Sequence, residues 1–228
     1  MNPVFLVCFI FIFCYNVTAQ NAKTITVKAG NDVKEFIANE MYRYPKFLIG
    51  KVFFRDGKST SAKLNYNLLV GDMQYIDLNG DTLSIANSKE VGYIKIEEDS
   101  FFYDQGYIEL LNDGSTVKLG IRQIIKLKDF KRIGAYGLPS HGTIESYGTY
   151  TGSHQVQKIN VKEDLVFSKQ TNYYFGDKFN HFIPATRKNV LQIFSNHQRK
   201  VEKFLYENDI NFNKHQDLEK LIAFLQVL

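Results

Sequence analysis

The stretch "GKVFFRDGKSTSAKLNYNLLVGDMQYIDLNGDTLSIANSKEVGYIKIEEDSFFYDQGYIELLNDGSTVKLGIRQIIKLK", residues 50 to 128, decides the fold. It is a run of short apolar-alternating segments broken by three turn dipeptides, Asp56-Gly57, Asn79-Gly80 and Asp113-Gly114. A glycine after Asp or Asn supplies the positive φ of a tight hairpin at little steric cost. Residues 47 to 55 therefore pair with 59 to 68, residues 73 to 78 with 81 to 86, and residues 107 to 111 with 115 to 128. Segments 91 to 97 and 101 to 103 add two more strands. The uneven spacing of the turns argues against a structural repeat and for a meander.

Residues 117 to 128 display the two faces of such a strand. Val117, Leu119 and Ile121 alternate with Lys118, Gly120 and Arg122, so one face is core and the other wet and basic. Gln123-Ile124 interrupts the alternation, after which Ile125 and Leu127 alternate with Lys126 and Lys128. A β-bulge is expected at the interruption, and bulges bend sheets towards closure. The expectation is an α+β protein with a curved antiparallel sheet, either a half-open barrel or a sandwich.

Working outward, Thr24 to Val27 reads as a strand. Asp32 and Glu35 have capping-box spacing before Val33, Phe36, Ile37 and Met41, which predicts a short amphipathic helix over 33–42, ended by Pro45. Downstream, residues 134 to 154 carry five glycines among Ser, Thr and Tyr and read as an exposed connection. Strands resume at 157–161, 165–167 and 172–175. From Thr186 the period becomes helical: Val190, Leu191 and Phe194, then Val201, Phe204 and Leu205, then Leu218, Leu221, Ile222 and Leu225 make three apolar stripes. Ser195 and Asn213 stand where caps between these helices would fall. The predicted organisation is a leader over 1–19, a β-rich body over 20–175 with its short N-terminal helix, and a helical subdomain over 176–228.

The chain has 228 residues, 44% hydrophobic and 23% charged, which is globular composition. Val4 to Val17 is an apolar run of signal-peptide length, and Val17 and Ala19 supply the small residues preferred before a cut, so cleavage is expected after Ala19. The run is short of the roughly 20 residues that span a bilayer, so no transmembrane segment is expected after cleavage. Phe13 before Cys14 speaks against a lipoprotein. Both cysteines, Cys8 and Cys14, fall in the leader, so the mature chain has neither disulfide nor Cys-ligated metal. A formal net charge of +4 is too mild to mark a nucleic-acid binder, and export removes that partner altogether.

Further residues carry a resemblance. Tyr42 to Phe54, "YRYPKFLIGKVFF", the following "RDGKSTSAKLNYNLLVGDMQYID", "GAYG" at 134 to 137 and the C-terminal "LQIFSNHQRKVEKFLYENDINFNKHQDLEKLIAFL" resemble exported proteins of unknown function that are widespread in Bacteroidota. The similarity covers nearly all of the mature chain. It implies a Gram-negative cell and a periplasmic or outer-membrane-associated location, and it carries over no catalytic residue.

The chemical candidates are few. His141, Glu145 and His154 are zinc-ligand types close together in the glycine-rich segment, but His-x3-Glu-x8-His is no recognised ligand spacing. No Gly-x-Ser-x-Gly elbow and no phosphate-binding glycine loop is present. Lys118, Arg122, Lys126 and Lys128, continued by Lys131 and Arg132, could meet anionic lipid headgroups or an acidic envelope protein, although sheets commonly carry such lysines simply to keep a face or edge soluble. The expectation is a noncatalytic binding or scaffolding protein of the cell envelope, without a cofactor. The alternatives are an envelope or polysaccharide hydrolase built on the loop His and Glu, and a carrier of an apolar ligand held between sheet and helices.

Overall fold

The computed structural model describes residues 23–28, 40–133, 139–141 and 164–228, with the backbone alone for 23, 130–133 and 139–141. The helix expected over 33–42, the strand over 157–161 and most of the glycine-rich connection lie outside the described residues. Among those described, twelve strands form one sheet: β1 (Lys23–Val27), β2 (Leu48–Phe54), β3 (Ser59–Asn67), β4 (Asp72–Ile76), β5 (Thr82–Ser84), β6 (Val91–Ile96), β7 (Asp99–Tyr103), β8 (Tyr107–Asn112), β9 (Lys118–Ile133), β10 (Pro139–His141), β11 (Asp164–Gly176) and β12 (Phe182–Pro184). Three helices follow: α1 (Arg187–Ile193), α2 (Gln198–Glu207) and α3 (His215–Leu225).

The strand order is β1-β11-β9-β8-β7-β6-β2-β3-β4-β5, with β10 on β9 and β12 on β11. One meander, β2 to β5, runs out to one edge. The chain then returns to place β6 against the free side of β2, and a second meander continues to β9. Of the two architectures open to the sequence, this is the single curved sheet, α+β and unclosed. Its curl is held without a closing ladder. Beyond Arg122, β9 leaves β8 behind, and there the Ile125 amide donates to the Leu68 carbonyl (2.7 Å) while the Tyr66 hydroxyl donates to the Gln123 carbonyl (3.3 Å). The turn after β3 thus folds back onto the middle of β9.

Bulges supply the bend, but not where the sequence pattern predicts one. The β9–β11 register runs unbroken through Gln123 and Ile124, and the extra residue is Lys128, between Leu127↔Phe167 and Asp129↔Val166. Gln123 is a polar side chain on the inner face, half-buried opposite Thr171, and not a phase change. Two further bulges place Gly92 between the Phe53↔Tyr93 and Phe54↔Val91 pairs, and Leu111 between Leu110↔Gly120 and Asn112↔Leu119. Each adds local twist.

Three hairpin loops share one geometry. Phe54 and Lys58, Asp77 and Asp81, and Asp177 and His181 each close three residues, with the third in the left-handed region: Gly57 at φ +86°, Gly80 at +90° and Asn180 at +64°. The first two are the expected Asp-Gly and Asn-Gly turns. In the second and third loops the leading aspartate's Oδ1 accepts two backbone amides, from Asn79 and Asp81 at Asp77 and from Phe179 and His181 at Asp177. At Asp113-Gly114 the expectation of a tight turn fails. The connection runs over 113–117, and Gly114 is not at positive φ; it is small because a Cβ would stand 2.4 Å from the Val117 carbonyl oxygen.

The inner face carries the core in two bodies. Val52, Leu64, Tyr66, Met73, Ile94, Ile96 and Phe101 fill the curl with Ile125 and Phe167. At its other end the helices lay Val190, Val201, Leu218, Leu221, Ile222 and Leu225, all at 0% exposure, onto Val117, Leu119 and Phe175. Each such aliphatic side chain stabilises the fold by about 1.5–3 kcal/mol on burial. The helical stripes match the sequence pattern, whereas the caps differ: Thr186 Oγ1 accepts the Asn189 amide at the start of α1 (3.2 Å), and the N-caps of α2 and α3 are His197 and Lys214, neither with a side-chain cap bond. No described helix is long and apolar enough to cross a membrane.

Candidate binding surface

The predicted basic row lies on β9, and its residues have different fates. Lys118 is only 14% exposed; its Nζ donates to Asn180 Oδ1 (2.7 Å), pairs with Asp113 (3.1 Å) and lies 5.4 Å from the Phe102 ring centroid. Arg122 donates to the carbonyls of Tyr107 (3.3 Å) and Asp104 (3.1 Å) and sits over the Tyr174 ring. Gly106, at φ +127°, leaves the room for it, since a Cβ there would stand 2.8 Å from the guanidinium. These two cations stitch the outer face together. Lys126 and Lys128 are exposed, the latter at the bulge.

That outer face has a small core of its own. Phe182 lies across Gly176 and Gly120, where added Cβ atoms would come within 2.6 and 3.1 Å of its ring, and so reaches Phe102 and Ile108. The Phe182 amide donates to Asp104 Oδ2 (2.7 Å), which ties the β11–β12 hairpin to the β7–β8 turn. From Phe102 the aromatic row continues to Tyr93 (5.8 Å between centroids) and from there to Phe53, stacked at 4.3 Å. Beside it stand Lys51, whose Nζ is 5.0 Å from the Phe53 centroid, and the exposed Lys63 and Lys95.

The inner face holds a polar knot that sequence spacing does not reveal. Arg43 makes a two-pronged contact with Glu109, Nε to Oε2 at 3.0 Å and Nη2 to Oε1 at 2.9 Å, and lies 3.8 Å from Asp99. Tyr44 donates its hydroxyl to Asp99 (2.6 Å) and lies under the guanidinium. The Glu109 hydrogen bond holds the Arg43 pKa above its ordinary value, and burial with the Asp99 bond pushes the Tyr44 phenol well up. Asn65 completes the knot: its side chain accepts the Tyr44 amide and donates to the carbonyls of Tyr44 and Lys46. A backbone too irregular to join β2 is thereby satisfied. Both carboxylates accept from fixed donors, an arrangement suited to locking residues 42–46 over the curl and not to delivering or taking a proton.

Of the predicted metal set, His141 falls in β10, where the backbone alone is described, and Glu145 and His154 lie outside the described residues. Among the described residues no group of three or more His, Cys, Asp or Glu could hold a metal. An open depression along Ser195 to Glu202 is lined by polar side chains of one continuous segment, with no group converging from elsewhere. Compared with known proteins, the chain matches no family model, no curated sequence and no solved structure.

Proposed function

We infer that this chain is an exported, noncatalytic binding or scaffolding protein of the bacterial cell envelope, periplasmic or outer-membrane-associated. The observation that carries the reading is the contrast in how the charges are used. On the inner face Arg43, Glu109, Asp99 and Tyr44 are bonded to one another. On the outer face lysines stand exposed beside half-buried aromatic rings. The interior of the curl is occupied by fully buried side chains such as Leu64, Met73 and Ile94 at 0% exposure, which favours a contact protein over a carrier of an apolar ligand. The leader supplies the compartment.

The test is fractionation of cells expressing the tagged full chain, followed by capture from the solubilised envelope with washes at low and high salt. Recovery of a shortened chain in the envelope fraction, held by contacts that weaken with salt, is expected. Recovery of the uncleaved chain in the cytoplasm would sink the proposal.

A further inference from the structure

Lys51 on β2 stands directly opposite Lys95 on β6, and both are exposed. Val52 and Ile94, their neighbours in sequence, point into the core, so the two lysines occupy the outer face side by side. Like charges in directly opposed positions destabilise a sheet. Among the described residues no ion pair relieves them. Lys63 on β3 joins the same face one pair further along, opposite Ile49, which is 76% exposed. Around Lys51 and Lys95 lie Ser61, Ser100 and the stacked Phe53 and Tyr93. A face kept merely soluble would interleave both signs of charge across neighbouring strands. This one alternates cations with apolar side chains along β2, Ile49-Gly-Lys51-Val-Phe53, and carries no carboxylate on its neighbours in register.

We propose that Lys51, Lys63 and Lys95, with Ile49 and the rim of the Phe53–Tyr93 stack, form the surface by which this protein lies on an anionic lipid membrane. The proposal rests on the envelope reading above and names its partner. Long, unpaired lysines suit mobile phosphate headgroups better than a fixed carboxylate, for which a forked arginine would be the better match. An exposed isoleucine and aromatic edges between them belong at the headgroup level of a bilayer. A sugar polymer fits less well: the two rings face each other, and Lys51 lies by the Phe53 ring, so neither ring offers a broad open face.

The experiment is flotation of the purified mature chain with vesicles of phosphatidylcholine alone and of an equimolar mixture with phosphatidylglycerol, at low and high salt. Binding to the anionic vesicles only, weakened by salt, is expected. Each lysine near an anionic surface contributes about fivefold in affinity, so the K51Q/K63Q/K95Q variant should lose on the order of a hundredfold. The K188Q/K200Q/K203Q variant, with the same change in net charge on the helices, should lose little. The triple outer-face variant alters only exposed side chains, and its cooperative melting checks that it is folded. Inorganic phosphate that displaces the protein completely at unchanged ionic strength would point to a phosphate site and overturn the lipid surface. Equal losses in the two variants, or no wild-type flotation, would overturn it as well. In the last case, retention of the chain in the envelope by a protein partner would leave the broader reading standing.

Discussion

The two faces of the sheet treat charge in opposite ways. On the inner face Arg43 is placed where acceptors already wait, beside Glu109 and Asp99. Burying a charge costs several kcal/mol unless a partner and hydrogen bonds offset it, so pairing there is a condition of folding. On the outer face Lys118 and Arg122 are also held, by Asn180, Asp113 and two backbone carbonyls, but Lys51, Lys63 and Lys95 are not. Water solvates an exposed ammonium at no such cost, so an unpaired lysine is tolerated there. Two opposed ones are still a small net penalty. On the membrane proposal above, the opposed and unpartnered lysines of the outer face are the charges kept for contact, and the bonded ones are those kept for the fold.

The severest way to break the comparison is to strip the inner face of its cover. Ending the chain before Thr186 removes all three helices and exposes Val117, Leu119 and Phe175. The shortened protein is expected to aggregate, as judged by sedimentation; a soluble fragment that melts cooperatively would refute the docking of the helices. Next in size is Arg43→Ala, which leaves Glu109, whose side chain is 11% exposed, without its partner. With allowance for the partial exposure of Arg43, a loss of about 2–4 kcal/mol in urea unfolding is expected. Removing both charges with R43M/E109L should cost less than R43A alone. If R43A unfolds at the wild-type urea concentration, the knot is not structural.

The phenols of the inner face allow a pH test. Burial pushes Tyr66 up to about 12 from its ordinary 10.0, and Tyr44 and Tyr107 shift the same way, burial again being the largest cause. A pKa raised in the folded state means that the unfolded chain loses its proton first. The corresponding stability is fully present below pH 10 and is lost as pH climbs towards 12. Urea midpoints measured across that window should fall, and Tyr66→Phe should flatten part of the decline. A midpoint that stays level through the window would show that these rings are wet.

How much of this could be read from residues alone depended on the range of the signal. The Asp56-Gly57 and Asn79-Gly80 hairpins and the three helical stripes are local patterns, and they stand as expected. The β11–β12 hairpin is built like the first two but has Asn180 in place of glycine, so it carries no Asn-Gly or Asp-Gly signal and the sheet extends beyond residue 175, where the sequence pattern ends it. The sequence pattern breaks β11 at Ser168 to Thr171, a run polar on both faces, although those residues pair continuously with Gln123 to Lys126. The Arg43–Glu109 pair joins residues 66 apart in sequence, and no periodicity announces it. The outer lysines were invisible as a group for a topological reason. Strands β3, β4 and β5 intervene between β2 and β6, so only the register shows that Lys51 meets Lys95. The cations that do stand close in sequence are the four on β9, and two of those, Lys118 and Arg122, are held in place by their neighbours.

The smallest expected effect sharpens the comparison most. Lys51→Glu replaces a repelling pair with an attracting one opposite Lys95, and cross-strand pairs of opposite charge are worth about 0.2–1 kcal/mol. The variant should therefore be slightly more stable than the natural protein. It also adds a negative charge where the lipid surface is proposed to lie, so flotation with anionic vesicles should drop by more than in Lys51→Gln. A gain in stability coupled to a loss of binding is the mark of a surface shaped for contact at the expense of the fold. If K51E is destabilised, the opposition of the two lysines is not felt in solution, and the outer face is then an ordinary solvated one.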